Sequence, residues 1–224
     1  FFLLNTGKKR IDSKSRLLTT LAVDSKGKPI YAIEGSIFIG GALIQWLRDE
    51  LELINSAEET EKIATSIKDT NGVHIIPAFV GLGAPYWNSD CKGMITGLTR
   101  DSNKKHIIRA SLEAIAFQVE DLLKCISKDI KGPIKDLYVD GGATNNKFLM
   151  QFQADISNLK IFKPYNIEST SLGAGIMSGL KAKIWKNTDE IILNKNIEFV
   201  YKPTISKNER ENQIKNWNKA IKKI

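Results

Sequence analysis

Two hydrophobic periods divide the chain. In the first forty residues, three runs, residues 1–5, 17–23 and 30–37, are rich in bulky and β-branched side chains, the composition of strands. Thr6-Gly7 and Ser25-Lys26-Gly27-Lys28-Pro29 supply turn chemistry between them, so a β-meander is expected there. From Phe38 the period lengthens. Ile39, Leu43, Leu47, Leu51 and Ile54 fall on one helical face, and Ser56-Ala57-Glu58-Glu59 reads as a capping box opening a second helix over 56–67, with Ser56 as N-cap.

After Asn71-Gly72 an apolar strand is expected over 73–79, then a glycine-rich run, Gly81-Leu82-Gly83-Ala84-Pro85-Tyr86-Trp87, whose two aromatics should pack on the body of the domain. A dinucleotide-binding fingerprint is rejected there, because Pro85 follows where that motif needs a helix. A short strand over 94–98 precedes the strongest stripe of all, Ile108, Leu112, Ile115, Val119, Leu122 and Ile126, at steps of four and three within 103–128. Gly132-Pro133 ends that helix. Strand 136–140, helix 145–156, strand 160–163 and helix 171–185 then alternate, and a basic amphipathic helix over 208–224 rides on Ile214, Trp217 and Ile221. Strands first and strand–helix alternation after them predict an α/β domain around a mixed sheet with flanking helices.

Composition narrows the class. The 224 residues are 42% hydrophobic with 16 glycines, enough for one large domain, and no apolar run approaches the roughly 18 residues of a membrane span. Cys91 and Cys125 are too few for a disulfide framework and read as free thiols in a reducing cytoplasm. Net charge is +8, but residues 201–224 hold seven Lys or Arg against Glu209 and Glu211, so most of the excess is a solvated terminal helix rather than a nucleic-acid surface. The opening Phe1-Phe2-Leu3-Leu4 is apolar and lacks methionine, which leads us to expect a piece of a longer protein.

Candidate chemistry gathers at glycines. Asp140-Gly141-Gly142-Ala143-Thr144-Asn145-Asn146 stands at a strand-to-helix junction, where bare backbone can approach a ligand and a helix start offers N–H groups to phosphate. The competing reading is a tight turn with Asn145 or Asn146 as helix cap. Gly40-Gly41-Ala42, with Gln45 one turn on, and Gly173-Ala174-Gly175 with Gly179 allow close backbone approach in the same way. His74 and His106 have no metal-ligand spacing to any Cys, Asp or Glu and read as structural. Neither Asp140 nor Glu34 has a visible acid–base partner, so neither is given a catalytic role.

Taken together these segments resemble the C-terminal domain of the carbohydrate kinase family that includes glycerol, xylulose and gluconate kinases. Gly93-Met94-Ile95-Thr96-Gly97-Leu98, seven further residues, and His106-Ile107-Ile108-Arg109-Ala110-Ser111-Leu112-Glu113 satisfy that family's second signature. The runs 31–38, 44–50, 77–87, 139–142 and 146–151 are most similar to its glycerol kinase branch. The resemblance implies a ribonuclease H-like, actin-like ATPase fold with residues 1–224 as the C-terminal, nucleotide-binding domain of a two-domain enzyme. It implies ATP and Mg²⁺ as cofactors, with the metal held mainly by phosphates and the N-terminal half. The reaction implied is in-line phosphorylation of glycerol to sn-glycerol 3-phosphate.

Carried over by motif, Gly41, Gln45, Gly142 and Asn146 are expected to contact ATP, with Gly141 as neighbour, and Phe1 to pack on the glycerol skeleton. The catalytic base, an aspartate, is expected upstream of Phe1, so the chain alone is expected to be inactive. A cytoplasmic homo-oligomer, dimer or tetramer, is implied for the intact enzyme. A sugar-transport regulator binds some relatives through a segment corresponding to 203–209, and here only its proline, isoleucine and glutamate are kept, which tells against that partner. The alternatives are another sugar or polyol kinase of the family, such as a xylulose kinase, and a non-catalytic nucleotide-binding or interaction module with a basic tail.

Overall fold

The computed structural model describes residues 1–24, 26–188, 190–191 and 197–224; Ser25, part of the second expected turn, lies outside them. The three expected strands form as β1 (Phe2–Gly7), β2 (Leu18–Val23) and β3 (Pro29–Gly35). Their order is β1-β3-β2, however, and not that of a meander. The reason lies in burial. Ile30, Ala32, Ile33 and Gly35 are all buried, so β3 is covered on both faces and takes the centre, antiparallel to both neighbours, while β1 and β2 expose Leu3, Leu18, Leu21 and Val23 at the edges.

Helix α1 (Gly41–Asp49) buries Leu43, Ile44 and Leu47 as its stripe demands. It stops short of Leu51, because the Glu50 and Leu51 N–H groups both return to the Trp46 carbonyl and Glu52 adopts a left-handed φ of 51°. Helix α2 (Glu59–Thr65) starts three residues later than the capping box predicted. Ser56 donates to Glu58 instead, and the Glu59 carboxylate accepts from the Asn55 backbone and side chain, so the expected cap residues close a turn ahead of the helix.

Strands β4 (His74–Ile76) and β5 (Met94–Thr96) pair antiparallel. Gly97, just past β5, has φ of 82°, and a Cβ there would lie 2.0 Å from the Gly72 carbonyl oxygen. In the glycine-rich run between these strands, Tyr86 does pack inward, its hydroxyl donating to Asp121 at 2.6 Å, but Trp87 is 42% exposed, turned outward by a φ of 49°.

Helix α3 (Lys104–Ile130) is the centre of the molecule. Asn103 caps it by accepting from Lys105 N–H, and the His106 Nδ1 accepts from Asn103 N–H, so His106 is structural as expected. One face of α3 packs against α1, β4, α4 and α6; its C-terminal half, through Leu122, Leu123 and Ile126, packs under Phe2, Leu17 and Ile33 of the β1-β3-β2 sheet. The rest follows as β6 (Asp136–Tyr138), a 3-10 turn (Gly142–Asn145), α4 (Lys147–Ser157), β7 (Lys160–Pro164), α5 (Ser169–Lys181), β8 (Ile197–Tyr201) and α6 (Lys207–Ile221). β6 and β7 are parallel across α4, and β8, which no sequence pattern singled out, adds antiparallel to β7. The strands of the described residues thus form three sheets, of which this last is the mixed one.

Helix α6 buries Trp217, which stacks on Phe117 with centroids 5.1 Å apart and donates Nε1–H to Asp121 at 2.8 Å. Its basic face is not wholly solvated: Arg210 turns inward to the Ile156 carbonyl and to Glu120. Of the α5 glycines, Gly179 is the one set by close approach, since a Cβ would meet the Trp185 ring at 2.2 Å; Gly173 and Gly175 face open space. Cys91 and Cys125 are free thiols.

Two stability predictions follow from this core. Gly97→Ala adds left-handed strain of roughly 1–2 kcal/mol to a backbone clash and should sharply lower the urea midpoint of unfolding. Burial pushes Glu113 on α3 up to about 7, opposed by its partner Arg109. Because the folded value lies above the unfolded one, this group's contribution is full below the ordinary glutamate pKa and is lost as pH rises through about 7. Urea unfolding between pH 5 and 8 should show that decline, and Glu113→Gln should flatten it.

Candidate functional site

The N-terminal halves of α1 and α4, the 3-10 turn and the length of α2 enclose a cavity of about 780 Å³. Its floor is apolar, from Ile44 on α1, Leu112 and Ile115 on α3 and Leu149 on α4. Its rim is polar. Such a combination, within the roughly 300–1,000 Å³ typical of ligand sites, suits a flat apolar group below and a polar, charged one at the mouth.

Four of the residues singled out in the sequence converge here. Gly41 begins α1 and Gln45 follows one turn on, so both face the cavity from one side; Gly142 and Asn146 face it from the other. Added Cβ atoms at Gly41 and Gly142 would meet nothing within 4 Å, which means that these glycines leave open the space beside the backbone rather than relieve a clash. Gly141 does not line the cavity. Its φ of 85° makes the bend out of β6, and its carbonyl accepts from the Thr144 N–H and hydroxyl. Phe1 does not join the group either: it stands before β1 and is 95% exposed. Asp140 accepts from the Ser169 N–H at the start of α5.

Asn146 takes the capping role of its two readings. Its Oδ1 accepts from Leu149 N–H and caps α4, while its Nδ2 donates to the buried Thr60 hydroxyl of α2 at 2.9 Å. The start of α4 is therefore not open to phosphate in the manner expected. Lys147 N–H donates to the Glu61 carboxylate of α2 at 2.6 Å, so two first-turn donors are already taken by side chains. A carboxylate at a helix N-terminus is itself favourable by about 0.3–1 kcal/mol, and it gives this corner of the cavity a hydroxyl-binding rather than an anion-binding character.

Charge at the rim is nearly balanced, Arg48, Lys62 and Lys147 against Glu58 and Glu61. The Asp49 carboxylate beside Arg48 raises the guanidinium's pKa, and the Ser56 hydroxyl holds Glu58 below the usual carboxylate range, so Glu58 is a poor proton acceptor. Among the described residues, no group of three or more His, Cys, Asp or Glu stands together to hold a metal ion. No helix among them is long and apolar enough to cross a membrane.

Sequence reasoning missed the whole α2 wall. Glu58, Glu61, Lys62 and Thr65 fall at helical spacing, with the buried Thr60 reaching the same cavity and Ala64 turned into the core, a polar stripe that a search for glycine-rich turns passes over. Arg48, one turn beyond Gln45 on the same face of α1, was legible by the same periodicity.

The profile of the FGGY family of carbohydrate kinases, C-terminal domain, matches residues 1–182. The chain belongs to this family. Its fold is accordingly the actin-like ATPase fold of these kinases. It is 52% identical to a glycerol kinase of Clostridium botulinum (strain 657 / Type Ba4) over 223 residues, all of this chain and 45% of that protein's length. A Shewanella pealeana glycerol kinase is 51% identical over 221 residues, again 45% of its length. The chain thus spans a little under half of the relatives it matches. Among solved structures, Plasmodium falciparum glycerol kinase with ADP superposes with a TM-score of 0.89 at 38% identity, over 99% of this chain and 44% of that one. A ligand-bound xylulose kinase of Lactobacillus acidophilus, at 22% identity and a TM-score of 0.71, shares the fold over 90% of this chain and 43% of that one.

The double role of Asn146 yields a prediction for this FGGY-family domain. Asn146→Ala removes the α4 cap and the link to Thr60, and should cost about 1–2 kcal/mol in urea unfolding. Asn146→Asp keeps the capping oxygen and should recover most of that loss.

Proposed function

We propose that this chain is the ATP-binding C-terminal part of a glycerol kinase, and that the cavity between α1, α2 and α4 holds the nucleotide. The observation that carries the reading is the convergence of Gly41 and Gln45 with Gly142 and Asn146, separated in sequence by two helices and three strands, on one cavity of nucleotide size. Likeness to glycerol kinases along the entire chain supports the substrate, and the ADP named with the Plasmodium falciparum relative supports the cofactor.

In this reading the adenine lies on the apolar floor of Ile44, Leu112, Ile115 and Leu149. The ribose meets the polar corner of Thr60, Glu61 and Asn146, and bare backbone at Gly41 and Gly142 admits the ligand where any side chain would occupy its space. The phosphates leave the cavity at its mouth, near Arg48 and Lys147, because the α4 start is already filled. A terminal glycerol oxygen attacks the γ-phosphorus, the bond to the β-phosphate oxygen breaks, and ADP departs. The groups that bind glycerol hydroxyls and the aspartate that takes the hydroxyl proton belong, in this reading, to the part of the relatives' length that the chain does not span. Phe1 contributes an apolar face to the glycerol carbons. In this reading Mg²⁺ comes with the nucleotide phosphates, whose charge it would neutralise.

A coupled assay on the full-length enzyme tests the proposal. Glycerol should be phosphorylated in preference to xylulose; preference for the sugar would overturn the substrate, and failure to bind ADP would overturn the site. Gly142→Ala puts a Cβ into open space beside the cavity without meeting the protein, so it should raise KM for ATP about tenfold, roughly 1.4 kcal/mol of binding, while the melting temperature stays near that of the parent. Sedimentation of the same enzyme tests the expectation of a homo-oligomer.

A further inference from the structure

Arg109 does not line the cavity, yet it touches both α2 and α4, two of its walls. Its Nη1 donates to two carbonyls at the C-terminal end of α2, Ala64 at 3.3 Å and Ile67 at 2.6 Å. Its guanidinium carbon lies 4.9 Å from the centroid of Phe148, the second residue of α4. Its Nε donates to Glu113, one turn on along α3, at 2.8 Å. The pair is nearly buried, with side chains 14% and 11% exposed, so its contacts are not loosened by solvent.

The geometry has a physical logic. Helix α2 is only seven residues long and would be marginal by itself. At its N-terminal side it is tied to α4 through Thr60–Asn146 and Glu61–Lys147. At its C-terminal end a cation is needed to satisfy unpaired carbonyls and the negative end of the helix dipole. A guanidinium does this while presenting a flat face to Phe148 and a separate N–H to Glu113, a set of directions that an ammonium group cannot reproduce. The two walls are thereby referred to a single side chain rooted on α3, which also supplies Leu112 and Ile115 to the floor.

We propose that Arg109, oriented by Glu113, is a positioning residue for the nucleotide: it sets the separation of α2 and α4, and so the width of the slot in which the adenosine lies. The proposal rests on the reading that this cavity takes ATP. Loss of the clamp lets α2 tilt about its N-terminal ties, which moves Glu61, Lys62 and Thr65 without removing any group that touches the ligand.

The test is steady-state kinetics with ATP and glycerol varied separately, together with ADP binding by calorimetry, on the full-length enzyme. Arg109→Met and Arg109→Lys should each raise KM for ATP and Kd for ADP about tenfold, with KM for glycerol and kcat within about twofold of the parent. Glu113→Gln keeps an oxygen for the Arg109 Nε–H and should stay within about twofold for ATP, whereas Glu113→Ala should follow the arginine variants. A merely structural pair would lower the active fraction and the melting temperature with no selective effect on ATP. Unchanged nucleotide affinity in folded Arg109→Met, or equal rises in both KM values, would overturn the proposal. Should Arg109→Met not fold, the Arg109→Lys and Glu113→Ala pair is read by the same criteria. If the parent binds ADP but does not phosphorylate glycerol, the substrate reading fails and the calorimetric arm still decides the clamp; if it binds no ADP, both fall.

Discussion

Burial of α3 on nearly every side is the constraint around which the domain is arranged. A 27-residue helix covered by sheet on one flank and helices on the other cannot leave polar side chains to water, and yet Glu113, Gln118, Glu120 and Asp121 are all buried on it. An unsatisfied buried polar group costs about 1–3 kcal/mol. Glu113 is met within α3 by Arg109, and the other three are met from separate parts of the chain: the Ile39 carbonyl for Gln118, Arg210 of α6 for Glu120, and both Tyr86 and Trp217 for Asp121. These bonds fix which side of α3 each neighbour occupies, while the Leu and Ile stripe fixes only that something must cover it.

The cavity is a product of the same packing. It opens where α1 and α4 diverge over the apolar middle of α3, and α2 spans the gap without filling it. Side chains that in a closed core would be apolar are here Gln45, Glu61 and Lys147, and the two glycines withhold the side chains that would close the space. The site is thus held on regular elements, and its shape is as rigid as the helix contacts below it.

What could be read in the sequence was what repeats locally. The α3 stripe, the α1 stripe and the inward Trp217 of α6 each announce themselves within a few residues, and the glycine motifs marked four positions on the cavity. What could not be read depends on groups far apart. Thr60 and Asn146 meet across a sequence separation of 86, and so do Glu61 and Lys147. Nothing near Ser56 signals that its hydroxyl serves Glu58 rather than the helix. The central place of β3 likewise follows from burial of both its faces, which period-two alternation alone would have argued against. The residues of the Gly141–Asn146 motif alone favoured a helix cap over a ligand contact, and the family likeness argued for the contact at Gly142 and Asn146; the structure gives Asn146 the cap.

The order β1-β3-β2 carries a consequence for how the chain is made. Synthesis delivers β1 and β2 first, and neither hydrogen-bonds the other in the finished sheet. Both must wait for residues 29–35 to leave the ribosome, and the lasting cover on this sheet waits longer, for Leu122, Leu123 and Ile126 of α3. Until then the nascent chain presents two apolar edge segments with no partner, the condition under which strands pair with the wrong chain. Slowing translation anywhere between β2 and the middle of α3 would lengthen that exposure, so the timing of synthesis through residues 24–126 bears on yield alongside the stability of the folded domain.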